Sequence, residues 1–207
     1  SGAIQVARAA VNADIPCITF SSDLIFSGQL QRPYLESDET AALNAYGRSK
    51  EQAEKAILQH LGKNLIIRTS SFFGPWDDYN FLTISMRQVS QGRTVVAPDD
   101  WTISPTYVPD LVHTCLDLLI DGEIGIWHLV NRGEVTWYDF LRQAVERVEL
   151  PCHAVAACSL SDMAFQADRP RYSALGSERG MILPSLEESI SRYCENWRSI
   201  LRRSVCA

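Results

Sequence analysis

Residues 13–28 read ADIPCITFSSDLIFSG, with an apolar run from Ile15 to Phe20 that ends in two serines and an aspartate. Its length and branched side chains predict a buried strand. Upstream, residues 3–12 (AIQVARAAVN) carry apolar side chains at helical spacing and feed straight into that strand. Downstream lie a polar loop with Gly28, Pro33 and the acidic LESDET of 35–40, a helix over about 46–61, and a second apolar run, NLIIRTS, at 64–70. Strand, loop, helix and buried strand in that order are the unit of a parallel sheet covered by helices, so the expected class is α/β.

Beyond this unit the pattern predicts a loop rich in glycine, proline and aromatics (SFFGPWDDYN, 71–80), a helix over about 80–91 and a short strand in TVVAP. A strand leading into a helix with Asp110 near its start follows, then a buried strand in GIWHLVN (125–131). The remainder reads as a helix in EVTWYDFLRQAVERV, a short strand near 153–157, a Pro/Arg loop and an amphipathic helix from about 186.

The composition, 46% hydrophobic and 21% charged over 207 residues, is that of a soluble globular chain. A formal charge of -6 and a pI near 5.2 argue against nucleic-acid or anionic-membrane partners, which need a dense positive patch. Arg198, Arg202 and Arg203 form one basic cluster, read as the solvated end of the last helix. Cysteines 17, 115, 152, 158, 194 and 206 show no C-x-x-C pair, so no zinc site, other metal centre or disulfide framework is expected. No run of about 18 apolar residues could span a bilayer, and the expected location is the cytoplasm.

The helix beginning at Tyr46 carries Lys50 one turn on, and positions four apart share a helix face. Carbonyl reduction needs this pairing, because hydride arriving at carbon leaves charge on oxygen that a nearby phenol can quench with a proton. A free phenol ionises near pH 10, and an adjacent ammonium favours the phenolate. Ser22, at the end of the first strand, lies where the carboxyl ends of parallel strands face a ligand crevice, and would be a second donor to the same oxygen. The spacing alone is a weak signal; its strand-and-helix context carries the reading. No G-x-G-x-x-G turn is present, so the main phosphate site of a dinucleotide is expected upstream of residue 1, together with the first strands.

The segments FSSDLIF, PYLESDE, YGRSKEQAE, IIRTSSFFG, PTYVPDLV, GIWHLVNRGEVTWYDF and RPRYSALGSERG resemble, in order and spacing, the dTDP-4-dehydrorhamnose reductase group of extended short-chain dehydrogenases/reductases. The resemblance runs from about residue 3 to about 190. It implies a partial Rossmann-type parallel sheet lacking its N-terminal strands, plus a small C-terminal α/β substrate-binding domain. On that reading residues 1–75 carry the catalytic half of the Rossmann-type domain, and 76–207 are mainly substrate domain, with 104–131 returning to the sheet. The implied catalytic set is Ser22, Tyr46 and Lys50. Ser21, Tyr46, Lys50, Thr69 and Ser70 would meet NADPH or NADH, and Ser22, Asp23, Ser71, Asn80 and Arg169 a nucleotide-diphosphate sugar whose C4 ketone is reduced.

Ser71 and Leu24 stand where the family carries aromatic residues, so a sugar pocket of different shape is expected. For several of these residues a structural role competes. Asp23 equally fits a loop cap, Asn80 a helix cap, and Arg169 a brace for loop carbonyls rather than a fork on a diphosphate together with Arg171. Trp76 and Trp101 are read as stacking candidates, Trp127, Trp137 and His128 as core.

Two other functions remain open: a non-catalytic regulatory subunit resembling that of methionine adenosyltransferase, and nucleotide-sugar epimerisation or dehydration. So do membership of a longer multifunctional polypeptide and homo-oligomerisation. The 207 residues alone are expected to be inactive and to bind NADPH weakly or not at all.

Overall fold

The computed structural model describes residues 2–60 and 62–205, with side chains described to residue 198. Ser1, Leu61, Cys206 and the side chains of Arg202 and Arg203 thus lie outside the described residues.

Helix α1 (Gly2–Asn12) leads into strand β1 (Cys17–Ser22), helix α2 (Ala45–Leu58) and strand β2 (Asn64–Thr69). β1 begins two residues later than the apolar run suggests. The Ile15 amide is spent on Ala10 O at 2.9 Å, closing α1, and Pro16 has no amide to give a ladder. The strand gains two residues at its other end, where Ser22 pairs with Thr69 in parallel register. Every residue of β2 is buried, which explains its continuous apolar run: it is covered on both faces. Ile66 packs with Ala7 and Ile57 of α1 and α2. Leu65 and Ile67 point to the other face, where they meet Leu111, Cys115 and Leu118.

The third strand of this sheet comes from far along the chain. After β3 (Phe72–Phe73), α3 (Phe81–Ser90), β4 (Val95–Pro98), β5 (Thr102–Ile103) and β6 (Thr106–Tyr107), helix α4 (Val108–Ile120) leads to β7 (Gly125–His128). β7 pairs in parallel with β2, giving the order β1-β2-β7. Pro109 sits in the first turn of α4, where its missing amide costs nothing. β1 has no second neighbour among the described residues. The fold is therefore a Rossmann-type α/β arrangement with a three-stranded parallel sheet.

A separate and larger core lies beyond it. β8 (Val135–Thr136), α5 (Trp137–Arg147), β9 (Val155–Cys158) and α6 (Leu186–Val205) complete the chain. β4 pairs in parallel with β9, and β5 antiparallel with β8. Phe73, Leu82, Phe140, Leu141, Ile190 and Trp197 join α3, α5 and α6 into one cluster. Arg192 of α6 grips Asp110 of α4 through both guanidinium nitrogens, one at 2.7 Å, tying the two cores together.

Beneath the carboxyl end of the sheet sits a buried charge pair. Arg68 and Glu54, with side chains 3% and 4% exposed, meet at 2.7 Å. Arg68 Nη1 lies 3.2 Å from both Glu36 O and His128 Nε2. His128 Nδ1 is 2.8 Å from Gly176 O, so this nitrogen donates and Nε2 accepts. Burial holds the imidazole below its ordinary pKa, in keeping with a neutral core histidine.

No helix among the described residues is long and apolar enough to cross a membrane. Nor does any group of His, Cys, Asp and Glu among them have the arrangement of a metal site.

Candidate active site

Three chain segments converge at the carboxyl ends of β1 and β2. Ser22 ends β1 in extended backbone and caps the short helical turn Asp23–Ile25, its Oγ accepting from Leu24 N at 3.2 Å and donating to Asp23 Oδ1 at 3.0 Å. Asp23 is only 6% exposed, and its Oδ2 also accepts from Ser70 Oγ at 2.9 Å and Ser173 Oγ at 2.7 Å. Burial raises the Asp23 carboxyl above its usual pKa, while the three serine donors pull it back.

Tyr46 stands in the first turn of α2 and is 51% exposed. That helix starts where it does because Asn44 caps it: Oδ1 accepts from Gly47 N at 2.9 Å, while Nδ2 donates to Asp168 O at 2.9 Å. The start of the helix is thereby tied to the loop that carries Arg169. Lys50, one turn on, has its Nζ 5.6 Å from the Tyr46 ring centroid and donates to Phe20 O at 2.9 Å.

Gly47 lets α2 touch the loop after β1. A Cβ there would lie 2.0 Å from Leu24 O and 2.9 Å from Leu24 C, and backbone cannot swing aside as a flexible side chain can. Gly47→Ala is expected to cost about 1–3 kcal/mol of stability, the usual range for overpacking, read as a lower urea midpoint. An unchanged midpoint would mean that α2 and this loop are not in such close contact.

A cleft of about 320 Å³ opens at this point. Ser21, Ser22, Asp23 and Tyr46 line it from one side, Thr69, Ser70 and Ser71 from the end of β2, and Arg169 from the C-terminal loop. Ser71 takes a left-handed backbone (φ 44°) as the chain turns out of β2. The aromatic wall is supplied by Phe72, Trp101 and Trp137. Four buried polar atoms of these lining residues have no hydrogen-bond partner within the described structure: Ser21 Oγ, Trp101 Nε1, Trp137 Nε1 and Arg169 Nε. Trp127 Nε1, Arg192 Nε and Trp197 Nε1, away from this cleft, are unpartnered in the same way.

A second cleft of about 420 Å³ shares Arg169 and adds Arg171, Leu43 and Phe165. The Arg169 guanidinium stacks 5.6 Å from the Phe165 ring.

Two sequence candidates lie elsewhere. Asn80 caps α3: its Oδ1 accepts from Thr83 N at 2.9 Å and its Nδ2 donates to Asp77 O at 2.8 Å, and it lines neither cleft. Trp76 is 82% exposed and also lines neither. Conversely, Trp137 reads from sequence as core but edges the first cleft. Leu24, expected to reshape the pocket, does line the first cleft, whereas Phe72 and Ser173 were not singled out in the sequence beyond their places inside IIRTSSFFG and RPRYSALGSERG.

The arrangement offers an exposed phenol, an ammonium one turn away and several hydroxyls at a cleft with an aromatic wall. That set suits proton donation to a carbonyl oxygen held among hydrogen-bond donors.

The family described as "RmlD substrate binding domain" matches residues 1–205. A dTDP-4-keto-6-deoxy-D-glucose reductase from Streptomyces niveus is 33% identical over 178 residues, covering 86% of this chain and 62% of that protein. A dTDP-4-dehydrorhamnose reductase from Mycolicibacterium smegmatis is 30% identical, covering 98% of this chain and 61% of that protein. The chain thus spans only about three fifths of these relatives. Among solved structures, dTDP-4-dehydrorhamnose reductase from Bacillus anthracis in complex with NADP superposes with a TM-score of 0.87 at 28% identity, covering 93% of this chain and 69% of that one.

Proposed function

We propose that this chain, which belongs to the RmlD substrate binding domain family, is the catalytic and sugar-binding part of an NAD(P)H-dependent reductase acting on the C4 ketone of a nucleotide-linked 6-deoxy sugar. The observation that carries this reading is the first cleft, where Tyr46 and Ser22 share walls with the strand-end hydroxyls of Thr69 and Ser70, an aromatic side and Arg169.

Tyr46 gives its proton to the ketone oxygen as charge develops there, and Ser22 holds that oxygen as a second donor. Lys50 sits beside the Tyr46 ring, its Nζ 5.6 Å from the ring centroid. A reduced nicotinamide, when bound, supplies the hydride. The unpartnered Ser21 Oγ fits such a group at the strand end, with Thr69 and Ser70 beside it and Lys50 placed to hold a ribose hydroxyl. Trp101 and Trp137 shield the cleft from water. Arg169 and Arg171, in the second cleft, present guanidinium forks of the kind that match diphosphate oxygens, with Phe165 and Leu43 as apolar neighbours for the base. Asp23 is withdrawn from sugar contact in this reading, because three serines already occupy its carboxylate.

The catalytic part extends to about residue 75 and the segment around β7, and the remainder forms the substrate domain. Five described cysteines are unpaired, which fits a reducing compartment, and we place the reaction in the cytoplasm.

The test is oxidation of NADPH and NADH by the full-length protein with a panel of dTDP-linked 4-keto-6-deoxy sugars. Turnover with at least one sugar, dependent on Tyr46, is expected. No oxidation above the sugar-free rate with any of them would refute the reductase reading.

A further inference from the structure

Asn44 stands between the two clefts, with Leu43 lining the second and Tyr46 the first. Its side chain is only 4% exposed and spends its two ends on different partners. Oδ1 accepts from Gly47 N at 2.9 Å and so caps α2, while Nδ2 donates at 2.9 Å to Asp168 O, 124 residues downstream. Capping explains only the first of these bonds, since a serine or an ionised aspartate would cap α2 as well without a second arm that donates.

The loop that receives the second bond is held by little else. From Arg171 onward the chain is fixed: Thr102 N donates to Arg171 O at 2.8 Å, Ser173 N to Thr102 O at 2.9 Å and Tyr34 N to Ala174 O at 2.8 Å. Upstream, Phe165 N closes on Met163 O at 2.8 Å. Over residues 166–170, among the described residues, the Asn44 amide makes the only hydrogen bond to the backbone. Arg169 lies in this stretch and lines both clefts. Asp168 is exposed, so water can take up its carbonyl when Asn44 lets go, and the fold loses little. What is lost is the ordering of the loop before a ligand arrives, and a ligand that must order its own site binds more weakly.

From this geometry we infer that Asn44 is a positioning residue, which sets the Arg169 guanidinium at a fixed place relative to the Tyr46 phenol at the start of α2. A nucleoside diphosphate seated on Arg169 is thereby held in register with the proton donor. The inference rests on the reductase reading above, in placing the diphosphate at Arg169 and Arg171.

The experiment measures, in the full-length protein, the Kd of dTDP by calorimetry, KM for the nucleotide sugar, the Kd of NADPH and the thermal midpoint. Asn44→Asp keeps the shape and the cap but turns an oxygen toward Asp168 O. Asn44→Ser keeps the cap, has no second arm, and adds no charge near the diphosphate; it also serves should Asn44→Asp not fold. Both are expected to weaken dTDP and raise KM about five- to tenfold, the net worth of one hydrogen bond, with NADPH affinity and thermal midpoint nearly unchanged. In an Arg169→Ala background neither should weaken dTDP further, because residues acting through one another are not additive.

An unchanged dTDP Kd in Asn44→Ser overturns the inference, and a loss confined to Asn44→Asp would then be the added charge acting on the diphosphate. Equal weakening with and without Arg169 overturns it too. A wild type that binds dTDP in this Asn44-dependent way yet reduces no sugar in the panel leaves the coupling standing and refutes only the reductase reading. A wild type that binds no dTDP overturns the placing of the diphosphate and the inference with it.

Discussion

Tyr46→Phe in the full-length protein is expected to lower kcat for ketone reduction about 10²- to 10⁴-fold, the range supplied by a positioned general acid, with NADPH affinity nearly intact. The substitution removes a single oxygen. Within the described residues the Tyr46 hydroxyl makes no hydrogen bond, and the side chain is 51% exposed, so no packing or buried partner is lost with it. The structure thus predicts a functional loss without a folding loss, which a parallel measurement of cofactor titration and thermal midpoint separates. A variant as fast as wild type would remove the phenol from the mechanism; Ser22 and a bound water would then have to protonate the oxygen.

Glu54→Ala is expected to cost about 3–5 kcal/mol of folding stability, because it strands the Arg68 guanidinium in the interior. Arg68 Nε lies 3.0 Å from Glu54 Oε1 and Nη2 2.7 Å from Oε2, a two-pronged pairing. The remaining nitrogen has only Glu36 O and His128 Nε2, each at 3.2 Å, and the flat face of the group lies 5.3 Å from the Phe26 ring centroid. None of these neutral neighbours replaces a carboxylate. The exposed pair Arg87–Asp78 makes the comparison: its side chains are 46% and 66% exposed, and Asp78→Ala is expected to cost about 1 kcal/mol or less. Urea unfolding of the two variants measures the contrast. Equal midpoints would show that burial adds nothing to this ion pair.

How much of this was legible in the sequence depends on how locally each feature is encoded. β2 could be read directly, because burial on both faces makes all six positions buried. The β1-α2-β2 unit was legible for the same reason, with an error of two residues where Ile15 closes α1 and Pro16 cannot donate. The two-residue strands β3, β5, β6 and β8 are too short to show any period.

In the cleft, Tyr46 and Ser22 could be singled out because spacing and strand-end position carry meaning. Asn80 shows the limit of residue type as a guide, since the same amide suits a helix cap and a sugar hydroxyl, and only coordinates distinguish them. Trp137 packs against the larger core as its sequence context suggests, but an indole 4.6 Å from Phe81 has the same pattern whether or not an edge also faces a crevice. The meeting of Asp23 with Ser173 could not have been foreseen from spacing, because 150 residues separate them.

Lys50 also bears on how the site holds its shape. Its Nζ donates to Phe20 O at 2.9 Å and so fastens α2 to β1 two residues before Ser22. The residue proposed to grip the nicotinamide ribose is thus a spacer between helix and strand as well, and replacing it would let the Ser22 end of β1 drift from Tyr46 in addition to weakening the hold on the cofactor.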